Sequence, residues 1–405
     1  MAPKINAVPR KTKNGQPRLM QALWGLIALL AALPALPVFS LQYILRLNDP
    51  TVHGYKQFVV PRLLKLFSNI MPMPTPETRA MQARTARCVV PKRDLFDHVK
   101  MRRFTIPPAP ADWLTELATL PPNGEIQPVE QYGFVFTPKS DSRQGDEKAK
   151  KGEKIVLYFH GGGEENDADL RSGYSTGHPT WTALPGKISR DTGLRVWGGQ
   201  YRKCLDVHSA WPAPLVDALA HWVHLTTVLG FEPSSIVLMG DSAGGHLCLS
   251  LTQQLLALGK ALPGGLALSS PWSDLTFSQP SWKWKDDYLG LPRLERSIDS
   301  LSRFFRKEDL TQPIFSPAFA PEGHWKQLAD IPVFIALGTK EALHDEVQLL
   351  VKGMRRDGVN VALFEDKDQL HCAPLVAGVM APEDSYMHFA EGVKGVTDQV
   401  EGHSS

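Results

Sequence analysis

The chain has 405 residues, with 44 Lys plus Arg against 42 Asp plus Glu, so its formal charge is only +2. That balance argues against a protein whose main work is holding nucleic acid. With 43% hydrophobic residues it can bury a large core, and its four cysteines (Cys88, Cys204, Cys248, Cys372) are too far apart for a disulfide-built scaffold or a local paired-cysteine zinc site.

Residues 1–18 carry Lys4, Arg10, Lys11, Lys13 and Arg18 and no acid, and residues 19–45 then carry no charged side chain at all. A helix needs about 20 apolar residues to cross a bilayer. The expectation is a basic tail over 1–18 and a transmembrane signal anchor over 19–45; a signal peptide cleaved near Val38 and Ser40, giving a secreted protein, is the alternative. Five basic residues precede the span, against Arg46, Lys56, Arg62 and Lys65 just after it. The slight excess leans towards a cytoplasmic tail, hence an endoplasmic-reticulum membrane protein with its large domain lumenal.

Residues 46–125 are basic and proline-rich, with Leu63, Leu64, Leu66, Phe67 and Ile70 forming a short helical stripe. They read as a helical or cap segment, resting either on the main domain or on the membrane. From residue 126 the pattern changes. Short apolar runs at Gly133–Thr137, Ile155–Phe159, Leu194–Trp197, Ile236–Met239, Gly265–Ser269, Val333–Leu337 and Val361–Phe364 alternate with helix-length segments such as Pro212–Val228 and Gly244–Leu258. That alternation predicts an α/β fold, a mostly parallel central sheet flanked by helices, over 126–405. A cap insertion is expected at about 275–325.

The strongest motif is Gly240-Asp241-Ser242-Ala243-Gly244, followed by Gly245, placed between a predicted strand and a predicted helix. A sharp strand-to-helix turn exposes a serine hydroxyl at the sheet's carboxyl edge, and the flanking glycines suit its crowded backbone. The second motif, His160-Gly161-Gly162-Gly163, directly follows another predicted strand. Its glycines leave backbone N–H groups uncovered, as an oxyanion site requires, with the Ala243 N–H as a further donor. A nucleophilic serine also needs a base and an orienting carboxylate further along the chain. Glu341 follows the Val333–Leu337 run and His371 follows the Val361–Phe364 run. Asp345, one helical turn beyond Glu341, is the alternative acid.

These residues together resemble the hormone-sensitive-lipase branch of the α/β-hydrolases. Tyr201-Arg202, Trp211-Pro212-Ala213 and Asp217 resemble that branch's Y-R-L-A-P-E…P-A…D stretch, and Ser270-Pro271-Trp272-Ser273-Asp274-Leu275 its S-P-W-x-D-L segment. With the basic tail and anchor, the chain is similar to fungal-type membrane esterases that include steryl acetyl hydrolases. The resemblance implies an α/β-hydrolase fold with a helical cap, no metal or organic cofactor, and ester hydrolysis through an acyl-enzyme on Ser242. In it, His371 is the base and Glu341 the acid, where the branch usually has Asp. The expected partner is a small lipophilic ester, such as the acetate of a sterol or terpenoid, met at a membrane. The same acyl-enzyme also serves acyl transfer. A non-catalytic ligand binder of this fold typically lacks the nucleophile or the base, and both are present here.

The branch's L-A-P-E is replaced by Lys203-Cys204-Leu205-Asp206, and Glu164, Glu165 and Asp167 follow the glycines, where they should disfavour anionic acyl groups. His221 and His224 read as ordinary helix-face histidines and Cys372 as packing. Trp282, Trp284 and Tyr288 read as a lid whose aromatic faces line an apolar pocket.

Overall fold

A computed structural model of the chain describes residues 16–46, 54–70, 98–143, 145–161, 179–204, 207–283, 287–289, 294–295, 298 and 301–400. Eight strands form one sheet: β1 (Val99–Ile106), β2 (Gln131–Pro138), β3 (Ile155–Phe159), β4 (Arg195–Gly199), β5 (Ile236–Asp241), β6 (Gly265–Ser269), β7 (Val333–Gly338) and β8 (Val361–Asp366). Their order is β1-β2-β4-β3-β5-β6-β7-β8, antiparallel at β1–β2 and β2–β4 and parallel from β4 to β8. The interior strands β3, β5 and β7 are unbroken apolar runs because helices cover them on both faces.

The seven helices are α1 (Gln16–Leu45), α2 (Tyr55–Ile70), α3 (Pro179–Thr192), α4 (Ala213–Val223), α5 (Ala243–Ala257), α6 (His344–Arg356) and α7 (Glu383–Gln399), counted among the described residues. The pleat alternates the side chains of β3 between two cores. Ile155, Leu157 and Phe159 join Leu215, Leu247 and Leu350 from α4, α5 and α6. Val156 and Tyr158 join Leu184 and Ile188 from α3 and Phe389 from α7 on the other face.

All seven strand-like runs read from the sequence are strands. The eighth, β1, lies within the segment expected to be helical, and it pairs along its whole length with β2. Arg102 and Arg103 interrupt its apolar pattern because the middle of this edge strand is exposed. The described part of the 275–325 insertion consists largely of short 3-10 turns, at Pro280–Lys283, Lys307–Thr311 and Pro317–Phe319.

The expected membrane span falls within α1. Among the described residues no helix is long and apolar enough to cross a membrane, so the transmembrane expectation is not met there. Pro34 and Pro37 lie inside α1, and its last turns pack on α2. The Tyr43 ring meets Tyr55 and Phe58 of α2 at 5.4 and 5.7 Å, and the Ser40 hydroxyl bonds that of Tyr55 at 2.7 Å.

Candidate active site

The carboxyl ends of the parallel strands bring the motif residues together, as open α/β sheets generally do. Ser242 is the first residue after β5 and caps α5, with φ 52° and ψ −121°. That left-handed conformation costs a non-glycine residue about 1–3 kcal/mol and persists only where its surroundings hold it. The Ser242 N–H donates to the Ser269 carbonyl at 2.9 Å, and its carbonyl accepts from His246 and Trp272, both at 3.0 Å. Gly244 allows the crossing behind it, since a Cβ there would stand 2.1 Å from the carbonyl oxygen of Phe159.

Gly161 lies over this turn: a Cβ on it would come within 3.0 Å of the Ser242 Cβ and 2.3 Å of Asp241 Oδ2. His160 supports the loop from below. Its Nδ1 donates to the Gly161 carbonyl at 2.6 Å, while its ring stacks on Tyr201, whose hydroxyl donates to the His160 carbonyl at 2.6 Å. Burial, helped by Lys203, pushes the His160 pKa down to about 3, so the ring is neutral. Asp241 is buried beside Gly161 and accepts the Tyr158 hydroxyl at 2.5 Å, and burial raises its pKa to about 6. Gly162 and Gly163, with Glu164, Glu165 and Asp167, lie outside the described residues.

Glu341 sits on the turn after β7, fully buried. Its Oε2 accepts the Ser270 hydroxyl at 2.6 Å and the Gly338 N–H at 2.9 Å, and its Oε1 lies 3.9 Å from His371 Nδ1. Asp345, the alternative acid, is engaged elsewhere: it accepts the Ser281 N–H at 3.0 Å and lies 3.1 Å from His344. The structure thus brings Glu341, and not Asp345, to His371.

On its other side, His371 Nε2 lies 3.3 Å from the Cys372 thiol. Burial works against a charged imidazole, but Cys372 and Glu341 more than offset it and hold the His371 pKa well above 6.5. Burial pushes the Cys372 thiol up to about 11, so it is neutral near pH 7.

Ser270 was read only as part of a motif, yet its hydroxyl, besides donating to Glu341, accepts the Cys372 N–H at 3.1 Å. One hydroxyl joins the Glu341 turn to the His371 turn. Its own φ of 45° marks it as a special position, which sequence does not reveal. Glu346 is a second residue that sequence reasoning missed. It is buried, with its pKa raised by burial, and accepts the N–H groups of Ser273 and Asp274 and the indole N–H of Trp282.

A family model described as α/β hydrolase fold matches residues 156–375, more than half of the chain. The chain belongs to the α/β-hydrolase fold family. The hydrolase is 27% identical to an acetyl-hydrolase of Streptomyces hygroscopicus over 268 residues, 62% of this chain and 83% of that protein. It is 30% identical, over 36% of its own length and 40% of the other's, to a provisionally named steryl acetyl hydrolase of Schizosaccharomyces pombe. Its fold matches the crystal structure of an esterase from the bacterial hormone-sensitive lipase family with a TM-score of 0.62 at 20% identity, covering 86% of this chain and all of that one.

The remaining sequence expectations divide within this hydrolase. Arg202 holds Asp217 through two bonds, at 2.8 and 2.9 Å, and fixes the loop after β4. His221 is a core residue, accepting the Trp197 indole N–H at 3.0 Å and bonded to the Gln200 carbonyl at 2.8 Å. Trp282 packs edge-on against Phe277 and points its N–H at Glu346, which braces the cap. Trp211 and Trp272, with Leu247, Leu275 and Ala243, line a cavity of about 30 Å³ beside the Ser242 turn. Trp284 lies outside the described residues.

Proposed function

We propose that this serine carboxylic ester hydrolase deacetylates a lipophilic alcohol, of sterol or terpenoid type, through an acyl-enzyme on Ser242. The arrangement of Glu341 against His371, at the same sheet edge as the strained Ser242, carries the reading. His371 takes the Ser242 proton as the hydroxyl oxygen attacks the ester carbonyl. It returns that proton to the departing alcohol oxygen. Water then attacks the acyl-enzyme, again giving a proton to His371, and the acid leaves as the Ser242 hydroxyl is restored. Glu341 orients the imidazole and stabilises its charged form. Gly161 and Ala243 offer N–H groups to the oxyanion. One such donor is typically worth about 3 kcal/mol in the transition state.

A cavity of about 30 Å³ adjoins Ala243, next to Ser242, and is large enough for a small group. The names of the acetyl-hydrolase relatives support a short acyl group. A lipophilic alcohol is supported by α1, where Leu26, Leu30, Leu33, Leu36, Val38, Leu41, Ile44 and Leu45 are all exposed. Apolar side chains in that number fit attachment to a lipid surface, where such esters concentrate.

The test is turnover of acetate, butyrate, octanoate and palmitate esters of one alcohol, followed by steryl acetate, with Ser242→Ala and His371→Ala as controls. Acetate is expected to be fastest and both variants inactive. Retained turnover in a folded Ser242→Ala or His371→Ala protein refutes the acyl-enzyme reading, and a preference for palmitate refutes the short acyl group.

A further inference from the structure

Two neighbouring cap residues reach both arms of the acid–base pair. Asp287 is fully buried; its Oδ2 accepts the N–H of Ala342, the residue after Glu341, at 2.6 Å. Its Oδ1 accepts the Leu289 N–H at 3.3 Å. The Tyr288 hydroxyl donates to the carbonyl of His371 itself at 2.8 Å, with the two rings 6.1 Å apart. The dipeptide is in turn held from the N-terminal side: Lys65 of α2 donates to the Asp287 carbonyl at 2.8 Å across 222 residues of chain.

A carboxylate buried on two backbone N–H groups is costly unless a positive charge lies near. Burial raises the Asp287 pKa, and a charged His371 lowers it. Asp287 therefore gains most as the imidazolium forms, which is also when the reaction needs stabilisation. The glycine at 338 makes the approach of the two turns possible, since a Cβ there would meet the Gln369 carbonyl oxygen at 2.3 Å. The two turns bond each other directly, Thr339 N–H to the Asp366 carbonyl and Lys340 N–H to the Gln369 carbonyl at 3.0 Å each; Ser270 joins them from within, and the 287–288 dipeptide adds a hold on Ala342 and on His371 from the cap.

We propose that Asp287 and Tyr288 are positioning residues, a single cap clamp that sets Glu341 and His371 relative to each other and is itself held by Lys65 of α2. The proposal rests on the acid–base reading above. It implies that the N-terminal helices bear on turnover as well as on location, because α2 holds the clamp and α1 packs on α2.

The test uses the full chain and a chromogenic acetate ester, with kcat and KM measured against pH and thermal unfolding measured in parallel. Tyr288→Phe deletes one hydroxyl; Lys65→Met keeps the stem and removes the donor. Each is expected to lower kcat by roughly 10- to 100-fold while KM changes by less than about threefold, the signature of misplaced reacting groups. Asp287→Asn is expected to move the acid limb of kcat/KM to lower pH, because one of the groups facing His371 (Glu341, Asp287, Asp241, Cys372 and Tyr288) has lost its charge. A cap that only packs would show lowered unfolding temperature with unchanged kcat and pH limb.

Wild-type kcat in Tyr288→Phe and Lys65→Met, or an unmoved acid limb in Asp287→Asn, overturns the clamp. Ser242→Ala in the same assay separates the two readings. If it abolishes turnover while the clamp variants behave as wild type, only the clamp is refuted; if it retains turnover, the acyl-enzyme reading falls first.

Discussion

Replacing Glu341 by Gln tests the acid–base pair most sharply, because the surroundings dictate how the amide must sit. Two donors, the Ser270 hydroxyl and the Gly338 N–H, converge on Oε2 at 2.6 and 2.9 Å. The amide oxygen of Gln must take that position, which turns its NH2 towards His371 Nδ1. An imidazole that accepts there carries its proton on Nε2 and cannot act as a base. The substitution also removes a charge 3.9 Å from the ring, an interaction of about 4 kcal/mol at an effective dielectric of 20, taken as an upper limit. The two effects act on the same step and are not additive, so a fall in kcat of roughly 1,000- to 10,000-fold is expected.

The pH profile gives an independent readout. Turnover needs neutral His371, so wild-type kcat/KM should rise with pH through an apparent pKa well above 6.5. With Glu341 neutralised, the imidazolium loses support and the residual activity's acid limb should move to lower pH. Initial rates on a chromogenic acetate ester between about pH 5 and 9.5 measure both, a range set around the ordinary imidazole value. A kcat within tenfold of wild type, or an unmoved acid limb, would refute Glu341 as the orienting acid. Asp345→Asn should stay close to wild type, since Asp345 serves Ser281 and His344.

Gly244→Ala should lower stability in urea unfolding by about 2–3 kcal/mol or prevent folding, because its Cβ would stand 2.1 Å from a backbone oxygen in the sheet; a wild-type midpoint would contradict the close packing of the turn. Arg202→Met leaves Asp217 buried without its partner and should cost about 3–5 kcal/mol, read from the same unfolding curves. Exchanging Leu33, Leu41 and Ile44 for Ser should weaken flotation of the full chain with phospholipid vesicles while leaving acetate ester turnover intact; equal flotation would remove α1 as the lipid contact.

Much of the candidate site at the sheet's carboxyl edge was legible in the residues because its backbone requirements are local. Gly240, Gly244 and Ser242 mark a backbone too crowded for larger side chains, and that constraint is written at the positions themselves. The interior strands were legible for the same reason: β3, β7 and β5 up to Gly240 are buried on both faces, so nothing polar interrupts them. The edge strand β1 was not, since its exposed middle accepts Arg102 and Arg103 as readily as a helix surface would. Glu341 and Asp345 lie four residues apart and both follow β7, so no pattern separates them. The choice was made by Ser270 and Ser281, each more than sixty residues away in the chain, whose hydroxyl and backbone N–H draw the two carboxylates in different directions. The cap clamp was equally hidden. Asp287, Tyr288 and Lys65 carry no spacing rule, and their roles arise only when folding sets a buried carboxylate, a hydroxyl and an ammonium against backbone groups of distant turns. Local backbone demands are therefore readable from the chain. Which polar groups satisfy each other across it is decided by tertiary packing, because burial leaves each group only the partners the fold brings within reach.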